Sequence, residues 1–286
     1  PQDLDLLVPV IEKNLSEGID VVCLVYSKML PKSPRVAKTL NELDVTWHSI
    51  HPKANFWKAI WEIIKSKTIF TAVETSANPH RFGHTFTKIA NTLGKNTFTL
   101  QHGLENIGLT YSDQTYPIRN IDLASKKILI WSEKESLHPD IKETTRQRCI
   151  PFGCTKKFFI ESQIRKPGNF VVGVFENLHW DRYDDHYRNN FISDFAHAAA
   201  QFPELTFLLK PHHEGRWLTE KSQQDFSFSE NVIIIDPKSP EWEPYTGPAI
   251  INISDIVITT PSTIALDAAI ADKPTFIAGY SLEANN

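Results

Sequence analysis

Three segments of this sequence place polar side chains directly after apolar runs of strand length. They are the segments 101–103 (Gln-His-Gly), 210–216 (Lys-Pro-His-His-Glu-Gly-Arg) and 259–263 (Thr-Thr-Pro-Ser-Thr). In parallel α/β sheets, ligands bind beyond the carboxyl ends of the strands. We therefore take these segments as candidate binding or catalytic sites.

The first segment combines an amide, an imidazole and a glycine. Gln101 and His102 can face a ligand while Gly103 lets the backbone turn, and His102 is a candidate catalytic residue. In the alternative interpretation, both side chains are hydrogen-bonded to the nearby loop backbone. The residue types alone leave the two interpretations open.

The second segment carries cations and two adjacent histidines. His212 and His213 point to opposite sides of an extended backbone, so they do not chelate one metal ion together. No HExxH spacing is present either. One imidazole suits a hydrogen bond to a nucleotide or phosphate, with Lys210 and Arg216 as nearby cations. The alternative is a histidine that caps the following helix.

The third segment leads from a strand straight into a helix of small apolar residues. A helix N-terminus offers backbone N–H groups and the positive end of a dipole, which suits a phosphate. Thr260, Ser262 and Thr263 add hydroxyl groups at this point. The alternative is N-capping by Ser262, and both roles can hold at once.

Three acidic residues lie close to these segments. Glu176 and Asp181 follow the first apolar run of the second half of the chain, and Glu105 follows the Gln-His-Gly segment. A carboxylate in such a place can act as a general base or as a nucleophile. Asp184 and Asp185 are instead predicted to begin a helix, where negative charge is favourable.

Strand-like and helix-like segments alternate along the chain. The predicted strands are 19–25, 45–50, 69–73, 97–100, 127–131, 148–151, 170–175, 205–209, 232–235, 255–259 and 274–278. The predicted helices are 4–15, 35–43, 56–64, 84–93, 187–202 and 262–271. Gly94 is expected to close the fourth helix, and Trp57 and Trp61 of the third are expected to face the sheet. Such alternation is typical of a parallel sheet covered on both faces.

The alternation is interrupted once, at 154–168, where basic residues precede a Pro-Gly pair. This stretch is predicted to be an interdomain linker. We therefore predict an α/β protein of two tandem Rossmann-like domains, 1–153 and 169–286, with a cleft between them. The chain begins without Met and stops just after a strand, so we expect both ends to be cut from something longer.

The composition argues against two kinds of protein, nucleic-acid binders and membrane-spanning proteins. A net charge of −4 argues against a nucleic-acid binder, which would present a basic face. No run approaches the roughly 18 to 20 apolar residues that span a bilayer. The three cysteines are odd in number and lack paired CxxC spacing, which favours a reducing, cytoplasmic setting.

Taken in order, three short motifs resemble those of a known family. They are Gln101-His102-Gly103, Lys210-Pro211-His212, and Ser254-Asp255 followed by Ser262-Thr263. The resemblance is to GT-B glycosyltransferases of bacterial surface polysaccharides, above all capsule-type Kdo transferases, GT-B sialyltransferases and their glycerophosphotransferase relatives. It implies that His212 contacts the donor nucleotide and that Ser262 and Thr263 hold its phosphate. The family's usual His-Pro pair is His212-His213 here.

The resemblance also implies a reaction. The donor would be a CMP-activated acid sugar such as Kdo, and the acceptor a growing bacterial surface glycan or lipid-linked glycan. Lys210, Arg216 and the helix start would neutralise the donor without a required metal. Asp181 would be the nucleophile of a retaining enzyme, and Asp181 or Glu105 the base of an inverting one. Peripheral association with the inner face of the inner membrane is common among such enzymes.

Two other functions fit the same pattern. A sugar-nucleotide 2-epimerase shares the two-domain fold and a strand-end histidine, and it would release a free product without an acceptor. A non-catalytic module that binds nucleotide sugars within a larger assembly protein is the other. A dinucleotide-dependent oxidoreductase is excluded, because no GxGxxG follows a strand.

Overall fold

The chain folds into two compact units, Pro1–Lys157 and Phe158–Asn286. The computed structural model describes residues 2–31, 33–72, 74–76, 80–103, 121–156, 164–179, 183–212, 217–218, 227–236 and 239–280. The division between the units falls inside the segment 154–168. No helix in these ranges is long and apolar enough to cross a membrane.

The first unit contains two parallel sheets. Its strands are β1 (Val22–Tyr26), β2 (Thr46–Ile50), β3 (Thr68–Thr71), β4 (Asn96–Leu100), β5 (Lys127–Ile130) and β6 (Cys149–Pro151). Its helices are α1 (Gln2–Ser16), α2 (Arg35–Glu42), α3 (Phe56–Lys65), α4 (Arg81–Thr92) and α5 (Glu143–Arg146). β1 pairs with β2, and the other strands form a sheet of order β3-β4-β5-β6.

Helix α4 ends as its sequence predicts. The N–H of Lys95 donates to the carbonyl of Ala90, and the N–H of Gly94 donates to that of Asn91, both at 3.0 Å. This pair of bonds is a Schellman motif, which requires a left-handed residue. Gly94 supplies it with a φ of 74°, so the prediction that Gly94 closes the helix is confirmed.

The prediction that Trp57 and Trp61 face the sheet is wrong. Trp57 is 78% exposed and Trp61 57% exposed, whereas Ala59 and Ile63 are buried. The buried stripe of α3 packs with residues of α4, including Phe86. Both stripes have helical spacing, so periodicity alone does not tell which of them faces the core.

The described residues of the second unit form one five-stranded parallel sheet with helices. Its strands are β7 (Val171–Glu176), β8 (Thr206–Pro211), β9 (Val232–Ile234), β10 (Ile256–Thr259) and β11 (Thr275–Ile277), in the order β11-β10-β7-β8-β9. Its helices are α6 (Asp185–Gln201), α7 (Gly247–Ile253) and α8 (Thr263–Ile270).

Strand β7 lies at the centre of this sheet, and all six of its residues are buried. Val172 and Val174 belong to the same hydrophobic cluster as residues of α6. Val171 and Phe175 belong to a second cluster, with residues of α7 and α8. The sheet is therefore covered on both faces, and the predicted doubly wound α/β architecture is confirmed.

The amino edge of this sheet is held by Asp255. Its carboxylate accepts hydrogen bonds from the Lys166 ammonium at 2.8 Å and from the Val171 N–H at 2.7 Å. Desolvation opposes the charge of Asp255, but these hydrogen bonds outweigh it and lower the pKa of the carboxyl. The side chain of Ser254 is also bonded locally, to the carbonyl of Ile250 at 2.7 Å. The Ser-Asp pair of the third motif thus supports the fold.

Gly173 of β7 allows helix α7 to approach the sheet. A Cβ at this position would lie 2.5 Å from the Ser254 hydroxyl and 3.2 Å from a methyl of Ile250. We expect Gly173→Ala to lower the free energy of unfolding by about 1 to 3 kcal/mol, because overpacking displaces neighbouring atoms. Urea denaturation measures the change.

The control for this prediction is a double-mutant cycle with Ser254→Ala. Removing the hydroxyl removes the closest clash, so the double variant should lose less stability than the two single variants summed. Strict additivity would contradict the assigned contact.

Candidate functional site

The carboxyl edge of the second sheet brings polar residues together from three neighbouring strands. Strands β10, β7 and β8 are adjacent in the sheet, with Thr259 opposite Phe175 and Glu176 opposite Pro211. The second and third segments singled out in the sequence therefore reach the same edge. Side-chain contacts link the end of β10 to that of β7, and the end of β7 to that of β8.

Thr260 and Asn177 connect the ends of β10 and β7. The Thr260 hydroxyl donates to the Asn177 side-chain oxygen, and the Asn177 N–H donates back to that hydroxyl at 3.3 Å. Thr260 is fully buried. Its hydroxyl fixes the loop after β7, so we assign Thr260 a positioning role beside the phosphate-binding role expected from the sequence.

Ser262 is the N-cap of helix α8. Its hydroxyl accepts a hydrogen bond from the N–H of Ile264 at 3.3 Å and lies 3.1 Å from the hydroxyl of Thr259. Ser262 and Thr263 are both half-buried. N-capping by Ser262 is confirmed, and the positive end of the α8 dipole lies at the same edge as the other polar groups.

Glu176 is the last residue of β7 and is buried. Its carboxylate accepts the N–H of Leu178 at 2.6 Å, which holds the loop after the strand. Desolvation raises the pKa of Glu176 to about 7, although the backbone N–H groups of Leu178 and His212 lower it in part. Among the described atoms none completes a hydrogen bond to Oε1. The side chain is thus close to half-protonated near neutral pH.

Two imidazoles stack beside this carboxylate. The rings of His179 and His212 have centroids 4.3 Å apart and planes inclined by 24°. They follow the ends of β7 and β8, and both are half-buried. A ring of this pair can stack on a planar base with its outer face and hydrogen-bond to it through a ring nitrogen.

His179 was not among the site residues predicted from the sequence. It lies three residues beyond the end of β7, in an acidic and aromatic stretch. In that stretch only the carboxylates of Glu176 and Asp181 were predicted to be functional. The sequence pattern could have identified it, because β7 and β8 were both predicted as strands and each is followed by a histidine.

Lys210 lies on β8 and is half-buried. The predicted site residues Asp181, His213 and Arg216, together with Glu105, lie outside the described residues.

The first unit has a polar cluster of its own at the ends of β3 and β4. The ring of His102 contacts the ring of His80 edge-on, with centroids 5.6 Å apart. Desolvation and the positive charge of Lys156 lower the pKa of His102 to about 4. His102 is therefore neutral at pH 7, and a ring nitrogen can accept a hydrogen bond.

Gln101 has a structural role in this cluster. Its amide nitrogen donates to the carbonyl of Gly103 at 2.7 Å, and its amide oxygen accepts the N–H of Trp131 at 2.9 Å. Gln101 is buried. For this residue the contacts match the alternative interpretation, in which the side chain is bonded to the loop backbone.

A second buried pair was not selected from the sequence. The Glu74 carboxylate lies 2.9 Å from Nδ1 of His84 and also accepts the N–H groups of Ala124 and Ser125. Glu74 follows the end of β3, so the rule that selected the other segments applied to it as well. His84 was not predicted, because it lies inside the helical pattern of α4 and does not follow a strand. In the described residues, no three His, Cys, Asp or Glu side chains are placed to hold a metal ion.

Several solved structures resemble this chain in fold. No protein-family model matches the chain, and no curated protein matches it in sequence. The solved structures that resemble it include the glycotransferase of kitacinnamycin, at 11% identity and a TM-score of 0.53, covering 97% of this chain and 77% of that one. The UDP-GlcNAc 2-epimerase from Neisseria meningitidis, bound to UDP-GlcNAc, has 14% identity and a TM-score of 0.57, covering 96% and 79%.

A third similar structure is the UDP-GlcNAc 2-epimerase from Methanocaldococcus jannaschii, at 12% identity and a TM-score of 0.55, covering 97% and 81%. This chain has the GT-B fold. At such identities the likeness establishes the fold alone, so the substrate must be inferred from the site.

The raised pKa of Glu176 predicts a pH-dependent stability. Unfolded, Glu176 loses its proton near pH 4.5, and folded it keeps the proton to about pH 7. The folded chain binds more protons in this window, so the free energy of unfolding contributed by Glu176 falls as pH rises from 4.5 through 7. Glu176→Gln stays neutral and still accepts the Leu178 N–H. We expect it to raise the melting temperature relative to wild type at pH 8 but not at pH 4.5.

Calorimetric melting across pH 4.5 to 8 measures this difference, worth at most a few kcal/mol by linkage at about 1.4 kcal/mol per pKa unit. The exposed Glu241 provides the matched control, as Glu241→Gln. Parallel profiles for Glu176→Gln and wild type would show that the buried carboxyl titrates normally.

Proposed function

We propose that this protein is a glycosyltransferase that takes a sugar from a nucleotide donor bound at the carboxyl edge of the second sheet. The observation that carries the proposal is the meeting of the His179–His212 pair with the N-terminus of α8 on adjacent strand ends. The histidine pair can contact a nucleobase, and the N-terminus of α8 can hold a phosphate. The fold supports it, because similar structures include a glycotransferase.

Each donor-binding residue has a distinct part in this proposal. His212, with His179 beside it, contacts the nucleobase. Ser262 and Thr263 hold the phosphate at the start of α8, where the helix dipole favours negative charge. Lys210 supplies a cation from β8, and Arg216 is proposed as a second. The buried Glu176 positions the loops that carry both histidines, since it binds the backbone of Leu178.

The donor we propose is a CMP-activated acid sugar such as Kdo, transferred to a bacterial surface glycan. The order of the short motifs supports this choice. The competing donor is a UDP-sugar, because one similar epimerase structure contains UDP-GlcNAc. A fixed set of hydrogen-bond donors and cations can balance either pyrophosphate or phosphate charge.

We propose that catalysis uses a carboxylate together with a neutral histidine and requires no metal. Asp181 is the proposed nucleophile or base, and Glu105 the alternative base. His102 is neutral at pH 7, and in this form a ring nitrogen can accept a hydrogen bond from an acceptor hydroxyl and orient it toward the carboxylate base. The sequence has no DxD pair after a strand, the arrangement that metal-dependent sugar transferases use.

A 2-epimerase is the second candidate, because epimerases are among the most similar folds. An epimerase converts its nucleotide sugar without an acceptor, whereas a transferase needs one. Incubating the protein with UDP-GlcNAc alone and following the sugar by NMR separates the two. Conversion without an acceptor would establish the epimerase and remove the transferase proposal.

The first functional prediction concerns nucleotide affinity. We expect CMP to bind in calorimetric titrations, and His212→Asn and Ser262→Ala each to weaken it by about 1 to 3 kcal/mol through the loss of a charge-assisted hydrogen bond. His197→Asn and Ser193→Ala are matched controls on α6, both at exposed positions. They should leave the affinity unchanged.

Other outcomes of the titration have definite meanings. Binding of UDP in place of CMP would replace the proposed donor and keep the site. Equal affinities of the four variants would place the nucleotide elsewhere. Failure of every nucleotide to bind would overturn the proposed function.

The second functional prediction separates binding from turnover. His102 lies in the first unit and His212 in the second. We expect His102→Asn to lower kcat by about a hundredfold, as the misplacement of a reacting group does, with the donor Kd changed by less than about twofold. Single-turnover assays with the donor that binds give both values. A His102→Asn variant that weakens donor binding as much as His212→Asn would contradict this assignment.

A further inference from the structure

The side chain of Glu176 reaches the backbone of both loops that carry the histidine pair. Its Oε2 accepts the N–H of Leu178 at 2.6 Å, and the backbone N–H of His212 also donates to the carboxyl. Leu178 directly precedes His179 in the loop after β7, and His212 directly follows β8. One carboxyl group therefore holds both loops.

The second oxygen of Glu176 is buried without such a bond. No hydrogen bond to Oε1 is completed by any of the described atoms. A buried charged oxygen that lacks a donor is costly, and protonation removes its charge. The geometry thus favours the neutral acid, in agreement with the pKa of about 7 to which burial raises this carboxyl.

Glu176 lies next to the segment that leads into helix α8. Strands β7 and β10 pair with Phe175 opposite Thr259, so Thr260 lies beside Glu176. The N–H of Asn177 donates to the Thr260 hydroxyl at 3.3 Å, and α8 begins three residues later. A phosphate bound at the start of α8 is therefore close to the Glu176 carboxyl. Two negative charges in such a partly buried place repel each other.

The described residues provide no cation that shifts the pKa of Glu176. Burial and two backbone N–H groups set this pKa, and no charged side chain of the described part contributes. The guanidinium of Arg188 on α6 is bonded to the Leu178 carbonyl at 2.9 Å and to Asp185 at 3.1 Å. The segment 259–263 has only hydroxyl groups and a proline. The other ionisable groups on the loop after β7, on β8 and at its end, near the start of α6 and on α8 are His179, Lys210, His212, Tyr183, Asp184, Tyr187 and Asp267.

We propose that Glu176 takes up a proton from solvent when a nucleotide binds, and that its neutral form admits the phosphate beside it. The inference rests on the proposed donor site. A negative charge arrives with the phosphate while the protein loses one, so the buried edge of the sheet never holds both. Glu176 then makes the affinity for phosphate-bearing ligands depend on pH. Cytidine brings no phosphate and should need no proton.

The coupling has a definite sign and size. In the free protein the carboxyl is half-protonated near pH 7. Completing its protonation takes up about half a proton per nucleotide at pH 7, and almost none at pH 5.5, where the carboxyl is already neutral. Because the bound state holds more protons, the affinity falls as pH rises through 7, by about fivefold between pH 7 and pH 8. Glu176→Gln is neutral at every pH and should show neither effect.

The test is calorimetric titration of the intact chain with CMP, or with UDP if that is the nucleotide that binds. Titrations in two buffers of different ionisation enthalpy give the number of protons taken up at each pH. The phosphate of a nucleotide also titrates, at about pH 6 as phosphomonoesters do. Its contribution is the same in wild type and in Glu176→Gln, so the difference between the two proteins isolates the carboxyl.

Three controls accompany this comparison. Glu241→Gln replaces an exposed acid of the same unit and should keep the wild-type proton uptake. His179→Asn should keep it as well, which distinguishes the carboxyl from the neighbouring imidazole. Circular dichroism checks that the variants fold. If Glu176→Gln unfolds, the methyl ester of CMP gives the proton uptake on wild type alone, because a phosphate diester has no proton that titrates near neutral pH.

The outcomes separate this inference from the proposed function. Equal proton uptake by wild type and Glu176→Gln would overturn it, and so would a loss of uptake in His179→Asn alone. Uptake of the same size with cytidine would also overturn it, because the phosphate would not be the cause. In each of these cases the nucleotide still binds and the proposed donor site stands. If no nucleotide binds, the proposed function fails and this inference fails with it.

Discussion

The complete burial of β7 determines the environment of the residues at the carboxyl edge of the second unit's sheet. A central parallel strand is covered by helices on both faces, so its last side chain has no route to solvent along the sheet. In β7 that last residue is Glu176, whose carboxyl is desolvated and has a pKa near 7. Its oxygen then binds the next turn of backbone at Leu178. The loop after β7 is fixed in this way, and His179 is placed beside His212.

The two units present histidines in different ways. In the second unit, His179 and His212 stack face to face, with ring centroids 4.3 Å apart. In the first, His102 meets His80 edge-on and is kept neutral by burial and by Lys156. A stacked pair can recognise a planar group through its outer ring face, and a neutral imidazole can orient an acceptor hydroxyl through a hydrogen bond. The proposed division between donor binding and catalysis follows from this difference.

The strands were predictable from the sequence, and parts of the site were not. Each predicted strand appears in the described residues within a few positions, because buried parallel strands are short apolar runs with clear ends. Helix α7 was missed, since seven residues beginning with Gly-Pro show too little periodicity. The rule that ligands bind beyond the carboxyl ends of strands identified His102, His212 and Ser262 as candidates. Partners that depend on neighbouring strands, such as His84 for Glu74 and His179 for His212, require the sheet order, which local pattern does not contain.

The contacts of Asp255 have a consequence for how such a protein can change over generations. Asp255 and Thr260 stand near opposite ends of one strand, and their tasks differ: the first secures Lys166 and β7, while the second orders the loops around the proposed ligand. Because the anchoring ionic contact lies at the far edge, loop residues at the near edge can be exchanged without releasing it. On this arrangement, the loops around the proposed ligand can diverge in sequence while the anchoring contact of the sheet is inherited unchanged.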